Sequence, residues 1–460
     1  MRMLPQEIER LCKSLKPVIG EQAEALWLSY LAEDEKGKRD LEQLLPLLAA
    51  QLLNKRLDDS KILLSPPSRE AAAGDFPIGQ VLYNGKELYP LSLREEDLIR
   101  QVGIFSLTGG GKSNLGMHIS LQLLQRKIPF LIVDWRRNYR SLLSLPEEKY
   151  PGVKDIQVFT IGRSVSPFNF NPFRGPPNVH YKTWLSIMAE VLERSHLGGP
   201  GVTDIFLKIY DSHFDQNGAP SDAAGYPNFY DGLRELGNIK TGGREYLWTQ
   251  SCRRILHSFT YGPLAGFFNS RTPEIKLEEL LEKPVILELD VEMPQWMRVF
   301  IMELVLRWIH LYRLSQGDST RLKGALILEE THNLFPKTSM QKGISNLENI
   351  YREIRGTGQA ILSMTQHTSM LPIYVLGNCQ VQVHLALQHG DDIAASTKSL
   401  FLERDEAVYL DRTKVGEGVV KIKGRVNPCL VRFPLVPVKI GVVDDDFLRK
   451  HMGGFFAELP

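Results

Sequence analysis

The sequence predicts an α/β fold in which a mostly parallel sheet, covered by helices, is built around a phosphate-binding loop. Three observations predict it. Residues 106–113 read Ser-Leu-Thr-Gly-Gly-Gly-Lys-Ser, between an apolar run, Val102–Phe105, and a helical pattern that starts at Asn114. Strand, glycine loop and helix in that order are the context such a loop requires. Several further apolar runs have the length of strands buried on both faces, and helical patterns separate them. Two of those runs end in acidic residues, Asp134 and the pair Glu329-Glu330.

The loop comes first because it carries the chemistry. Its glycines let backbone N–H groups close around phosphate oxygens, and the following helix adds the positive end of its dipole. Thr108, Gly109, Gly110, Gly111, Lys112, Ser113 and Asn114 are the candidate nucleotide-binding residues. Lys112 would reach the β- and γ-phosphates, and Ser113 would ligate Mg²⁺. Ser106 stands where such loops usually begin with glycine, and a small conformational cost without loss of binding is expected there.

Along the chain, residues 1–57 repeat apolar residues at helical spacing, among them Leu11, Leu15 and Val18, then Leu41, Leu45, Leu48 and Leu52. This reads as a helical region over 1–70, with a linker at Pro66-Pro67 and Ala71–Gly74. Residues 79–89 read as a hairpin around Asn84-Gly85, a pair suited to a type I′ turn. Strands are expected at 129–134, 156–159, 284–289, 325–328 and 359–364. A mainly helical insertion spans about 178–280, and a long amphipathic helix about 293–315. At 380–387 the start alternates with period two, which predicts a partly polar face. The core is placed at 71–445 and a tail at 446–460.

A nucleotide-hydrolysing site also needs acidic residues. Glu329 would complete the Mg²⁺ shell, in part through water, which Mg²⁺ gives up reluctantly. Glu330 would polarise the attacking water as general base. Gln366, after the strand at 359–364, could sense the γ-phosphate or sit satisfied in a loop. Arg352 and Arg355, three apart on an expected helix, share a face. One could act on a neighbour's γ-phosphate, or Arg352 could simply pair with Glu348. The run Asp134-Trp135-Arg136-Arg137-Asn138-Tyr139-Arg140 could hold phosphates and bases, but a structural role with the arginines paired at a subunit interface is preferred. The lone histidines show no metal-ligand grouping. Lys337 to Lys342 form a candidate pore loop, or their lysines could simply be solvated.

Composition excludes some classes. Hydrophobic content of 43%, charged content of 24% and a net charge of +1 describe an ordinary globular chain with no global basic field. The four cysteines are scattered without metal spacing and read as reduced thiols. No apolar run approaches membrane-spanning length, so a cytoplasmic protein is expected. A metabolic P-loop kinase fits poorly, because a lid-like arginine cluster is missing.

The order of motifs resembles the HerA/FtsK superfamily of hexameric RecA-like ATPases, with the HerA branch and its conjugation and type IV secretion relatives nearest. The motifs are the loop at 106–113, Asp134, Ser166–Phe173, the helical insertion, Leu328–Pro336, Arg352–Gly358 and Thr365-Gln366. The resemblance spans roughly 75–445. It implies ATP and Mg²⁺ as cofactors and a ring, most simply a hexamer, with ATP between subunits and double-stranded DNA as the partner. It gives Lys112 and Ser113 the nucleotide and Mg²⁺ roles, Glu329 and Glu330 the acidic roles, Gln366 the sensor role and Arg355 the trans arginine. It also implies a DNA translocase or helicase with a nuclease or other effector. A conjugation or secretion motor, or a nucleotide-gated scaffold of an antiviral complex, are the alternatives. HerA proteins commonly begin with a small β-barrel, whereas residues 1–57 here read as helical. The segment from Val415 to Asp446 resembles the family's closing strands and a tail able to reach a neighbouring subunit.

Overall fold

The computed structural model describes residues 3–53, 64–196, 198–217, 225–262, 264–269, 275–335 and 346–457. The candidate pore loop, Lys337 to Lys342, lies outside them. Eleven strands follow in chain order: β1 (Phe76–Tyr83), β2 (Lys86–Leu93), β3 (Val102–Phe105), β4 (Phe130–Asp134), β5 (Gln157–Ile161) and β6 (Pro284–Leu289), then β7 (Gly324–Leu328), β8 (Gln359–Thr365), β9 (Val381–Leu385), β10 (Glu417–Ile422) and β11 (Val426–Arg432). The chain forms two compact units. The first comprises Met1–Asp97, Val102–Leu115 and Gln366–Leu435; the second comprises Leu98–Gln101, Gly116–Thr365 and Val436–Pro460.

In the first unit the strands run β2-β1-β11-β10-β9-β3. All neighbours are antiparallel except β3 and β9. β1 and β2 form the expected hairpin, and Asn84 (φ 50°) with Gly85 (φ 72°) supplies the two left-handed residues of a type I′ turn. The N-terminal helices Pro5–Ile19, Gln22–Ala32 and Glu35–Leu52 form as the periodicity predicts. Asp34 caps the third by accepting from the N–H groups of Lys36 and Gly37. Their apolar faces meet Tyr83 of β1, packing Leu15, Ala23, Ala49 and Leu53 around it. The linker at 71–74 is partly helical, because Ser68 caps a single turn at Arg69–Ala72.

In β9 the polar residues Gln382 and His384 share one face, as the period-two alternation predicts, and that face is buried. Gln382 donates to the carbonyls of Leu376 and Cys379, and the His384 ring packs at a tilt against Phe105. Internal partners substitute for water.

In the second unit the strands run β8-β7-β4-β6-β5, all parallel. β4, β7 and β8 are buried throughout, and β5 and β6 except at their first residues, which is why they read as apolar runs. Among the described residues, six helices lie between Tyr181 and Leu280, where the insertion was expected. They close on an aromatic cluster that includes Phe173, Tyr210, Phe229 and Phe259. The helix Gln295–Ser315 follows β6 and is buried along most of its length. The C-terminal helix, Asp445–Ala457, packs on its own unit. Asp445 pairs with Arg140 and Arg163, His451 Nε2 donates to the Ile156 carbonyl at 2.8 Å, and Phe455 meets Phe159 edge-on. All four cysteines are buried and free. No helix among the described residues is long and apolar enough to cross a membrane.

Candidate functional site

In the first unit, β3 delivers the loop to the carboxyl end of its strand. Leu107 N–H donates to the Ala386 carbonyl (2.9 Å), which ties the loop to the segment after β9. The three glycines answer different demands. Gly109 (φ 79°) and Gly111 (φ 108°) adopt backbone conformations that L-residues rarely take. At Gly110 a Cβ would lie 2.1 Å from Ser106 Oγ. Ser106 itself has no positive φ, so nothing there demands glycine; its hydroxyl is buried and donates to the Leu107 carbonyl. The helix Lys112–Gln125 starts at the loop's end, where its first N–H groups lack intrahelical carbonyls.

Lys112 Nζ reaches back over the loop to the carbonyls of Ser106 (2.7 Å) and Leu107 (3.3 Å). Asn114 Nδ2 donates to the Pro434 carbonyl. The Thr108 hydroxyl donates to Gln366 Oε1, so the sensor candidate does meet the loop. This cradle fits a polyphosphate: a Cβ on it would collide or strain, and its cation is already aimed across it. Gly111→Ala forces a side chain onto φ 108°, a strain of about 1–3 kcal/mol. Its expected result is roughly five- to 150-fold weaker nucleotide binding, read by titration with a fluorescent ATP analogue. Wild-type affinity in that variant would refute the cradle.

In the second unit, the acidic candidates sit where β4 and β7 end. Asp134 is fully buried and accepts from the N–H groups of Arg136 and Tyr139, each at 2.9 Å. Glu329, also buried, accepts from Trp135 N–H at 3.4 Å. Burial, then the charge of Glu329, holds the Asp134 carboxyl well above the usual carboxylate range. Two buried carboxylates in this relation favour either a shared proton or a cation, which fits a hard divalent ion. No group of three or more His, Cys, Asp or Glu gathers as a metal site among the described residues. A few protein oxygens completed by phosphates and water is the Mg²⁺ pattern.

Glu330 follows in a left-handed conformation, φ 49° and ψ 40°. For a glutamate that strain is of order 1–3 kcal/mol and belongs at functional positions. The turn Thr331–Leu334 holds it: Thr331 donates to the Leu328 carbonyl (2.8 Å) and accepts from Met364 N–H (3.1 Å), while Asn333 N–H donates to the Glu330 carbonyl (3.0 Å). The Glu330 carboxylate lies 3.2 Å from Arg136 Nη2 and 3.5 Å from His332 Nδ1.

Two arginines of the run after Asp134 are paired within the chain, where pairing at a subunit interface was expected. Arg137 pairs with Asp290, and Arg140 grips Glu288 with two nitrogens. Trp135 is buried with the Arg298 guanidinium 4.7 Å from its ring centre, so it offers no face to a base. Arg352 and Arg355 do not share a helix: the helix Asn346–Glu353 ends between them. Arg355 sits exposed on the turn Ile354–Thr357, whereas Arg352 pairs with Glu348 at 3.3 Å. The reading of the sequence missed Glu288 and Asp290. Its available signal was a carboxylate inside the apolar run of β6.

Residues 76–198 match the model of the central domain of helicase HerA. No curated protein matches the chain in sequence. Among solved structures, VirB4 of Thermoanaerobacter pseudethanolicus is similar at 15% identity, with a TM-score of 0.59, covering 79% of this chain and 98% of that one. The bacterial conjugative coupling protein TrwB lacking its first 70 residues is similar at 13% identity and TM-score 0.58, covering 78% and 89%. TrwB in complex with ADP and Mg²⁺ matches at 13% and 0.58, covering 78% and 90%. At these identities the likeness shows the fold. Residues 76–198 thus match the HerA central-domain model, and the chain takes the fold seen in VirB4 and TrwB.

Proposed function

We propose that this chain is a ring-forming ATPase, most simply a hexamer, that couples ATP hydrolysis to movement along double-stranded DNA with a nuclease or other effector as partner. Thr108 to Asn114 bind the polyphosphate, with Lys112 countering its charge. Ser113 and Glu329 would hold Mg²⁺, which when bound neutralises phosphate charge. Glu330 takes the proton of the attacking water, Gln366 orients that water, and Arg355 acts on the ATP of a neighbouring subunit. The observation that carries this reading is Glu330. It is a strained carboxylate beside the buried Asp134 and Glu329, in a chain whose phosphate loop lies within the HerA-matched segment. The exposure of Arg355 suits action in trans. TrwB, of the same fold, has been solved with ADP and Mg²⁺, which supports the cofactor assignment.

The test is steady-state ATPase on the full chain, with and without duplex DNA, beside Lys112→Ala. Turnover that rises with duplex DNA and vanishes in the variant is the expected result. Slow turnover indifferent to DNA would instead indicate a nucleotide-gated scaffold. The fold likeness to VirB4 and TrwB favours, as a second reading, a conjugation- or secretion-type motor. Co-fractionation of the protein with membranes in its native cell would select that reading.

A further inference from the structure

Of the three arginines after Asp134, two are locked and one is not. Arg140 is bound on both edges of its guanidinium by Glu288 and Asp445, and its side chain is 10% exposed. Arg137 is held by Asp290 and is 27% exposed. Arg136 makes its ion pair with Glu330, the residue assigned above as general base, and its side chain is 48% exposed. Its backbone is fixed, because its N–H donates to Asp134 Oδ1 at 2.9 Å. The freedom of Arg136 therefore lies in its side chain, with one end anchored and the charged head in water.

The carboxylate it meets is held in a comparable way. The left-handed backbone of Glu330 is set by the turn that follows, so the side-chain torsions are what can move. One oxygen of the carboxylate faces Arg136 Nη2 at 3.2 Å. The other lies 3.5 Å from His332 Nδ1, which is itself 2.8 Å from Thr365 Oγ1. A carboxylate oxygen engaged by a guanidinium N–H has its lone pair directed at that donor. To take a proton from water through that oxygen, it must first exchange this partner.

We infer that Arg136 is a positioning residue that latches Glu330 in a resting orientation, and that phosphate oxygens arriving at the exposed guanidinium release it. The inference rests on Glu330 being the base. A half-exposed ion pair is weak and exchangeable. A guanidinium prefers the two-pronged match that phosphate provides. The latch then links arrival of a phosphate-bearing ligand to hydrolysis without any new catalytic group. The phosphate has two possible sources, the backbone of duplex DNA and the nucleotide itself, and the same assay separates them.

The experiment compares wild type, Arg136→Ala, Arg136→Lys and Glu330→Gln as full chains, measuring kcat and KM for ATP with and without duplex DNA. Without DNA, Arg136→Ala is expected to raise kcat about two- to five-fold, the range an exposed ion pair can hold back. Arg136→Lys, which keeps a cation, is expected to return kcat toward wild type. If DNA is the source, Arg136→Ala gains little further from DNA. If the nucleotide is the source, saturating ATP already opens the latch, so the rise in kcat is absent, the DNA response is kept and KM for ATP rises. Raising salt in the absence of DNA is expected to increase kcat of wild type but not of Arg136→Ala, because salt screens an exposed pair. A kcat that falls in Arg136→Ala, or one that equals wild type with the same DNA response and the same KM for ATP, overturns the latch while an inactive Glu330→Gln leaves the base assignment standing. An active Glu330→Gln overturns both.

Discussion

Replacing Glu330 by glutamine is expected to lower ATP turnover by about 10²–10⁴-fold, the contribution of a positioned general base, while nucleotide binding persists. Glutamine keeps the size and the hydrogen-bonding reach of the side chain but cannot take a proton. The phosphate loop, which carries the binding residues, is untouched. Turnover is read in steady state and binding by titration of the same preparation. A companion substitution separates chemistry from strain. Glu330→Gly removes the carboxylate at a residue held at φ 49°, where glycine is at ease. It is expected to be as inactive as the glutamine variant, with thermal stability equal to or above wild type. That combination is what a strained functional residue predicts. If Glu330→Gln keeps wild-type turnover, the assigned mechanism fails whatever the stability data show.

The sequence revealed the parts of this site that depend on local pattern. β3, the glycine loop and the start of the helix at Lys112 are contiguous. The buried strands β4, β6, β7 and β8 read as apolar runs because they have no solvent face. Asn84-Gly85 announced its own left-handed turn. Glu330 could not, since glutamate carries no signature of positive φ and the cause lies in contacts of the turn after it. The ion pair with Arg136 joins residues 194 apart in sequence, so no window could contain it. The polar face of Gln382 and His384 was legible, but its burial was not, because a polar residue satisfied internally has the same pattern as one satisfied by water. Arg355 was placed on a helix because nothing in Arg-Glu-Ile-Arg marks the end at Glu353. Glu288 had a usable signal. A carboxylate within Val-Ile-Leu-Glu-Leu must find a partner inside the protein, and that partner was among the arginines already singled out after Asp134.

That pairing supports the second large effect. Glu288 is 1% exposed and Arg140 8%, and two nitrogens of the guanidinium meet the two carboxylate oxygens. Burial pushes the Glu288 carboxyl up, and its hydrogen bonds with Arg140 oppose that push. Glu288→Ala strands the guanidinium inside the second unit, with Asp445 as its remaining carboxylate among the pairs it makes. The expected loss is about 3–5 kcal/mol of stability, read as a lower midpoint of urea unfolding. Replacing both residues by apolar ones, Glu288→Leu with Arg140→Met, is expected to recover much of that loss, because no buried charge is then left without a partner. Two single variants each within about 1 kcal/mol of wild type would show that the pair is solvated in solution and carries no structural weight. The outcome bears on the reaction as well as on stability. Arg140 closes the segment that begins at Asp134 and includes Arg136, so a loosened Arg140 lets that segment drift. In that case Glu288→Ala is expected to reproduce, at temperatures where it stays folded, the raised DNA-independent turnover predicted for Arg136→Ala.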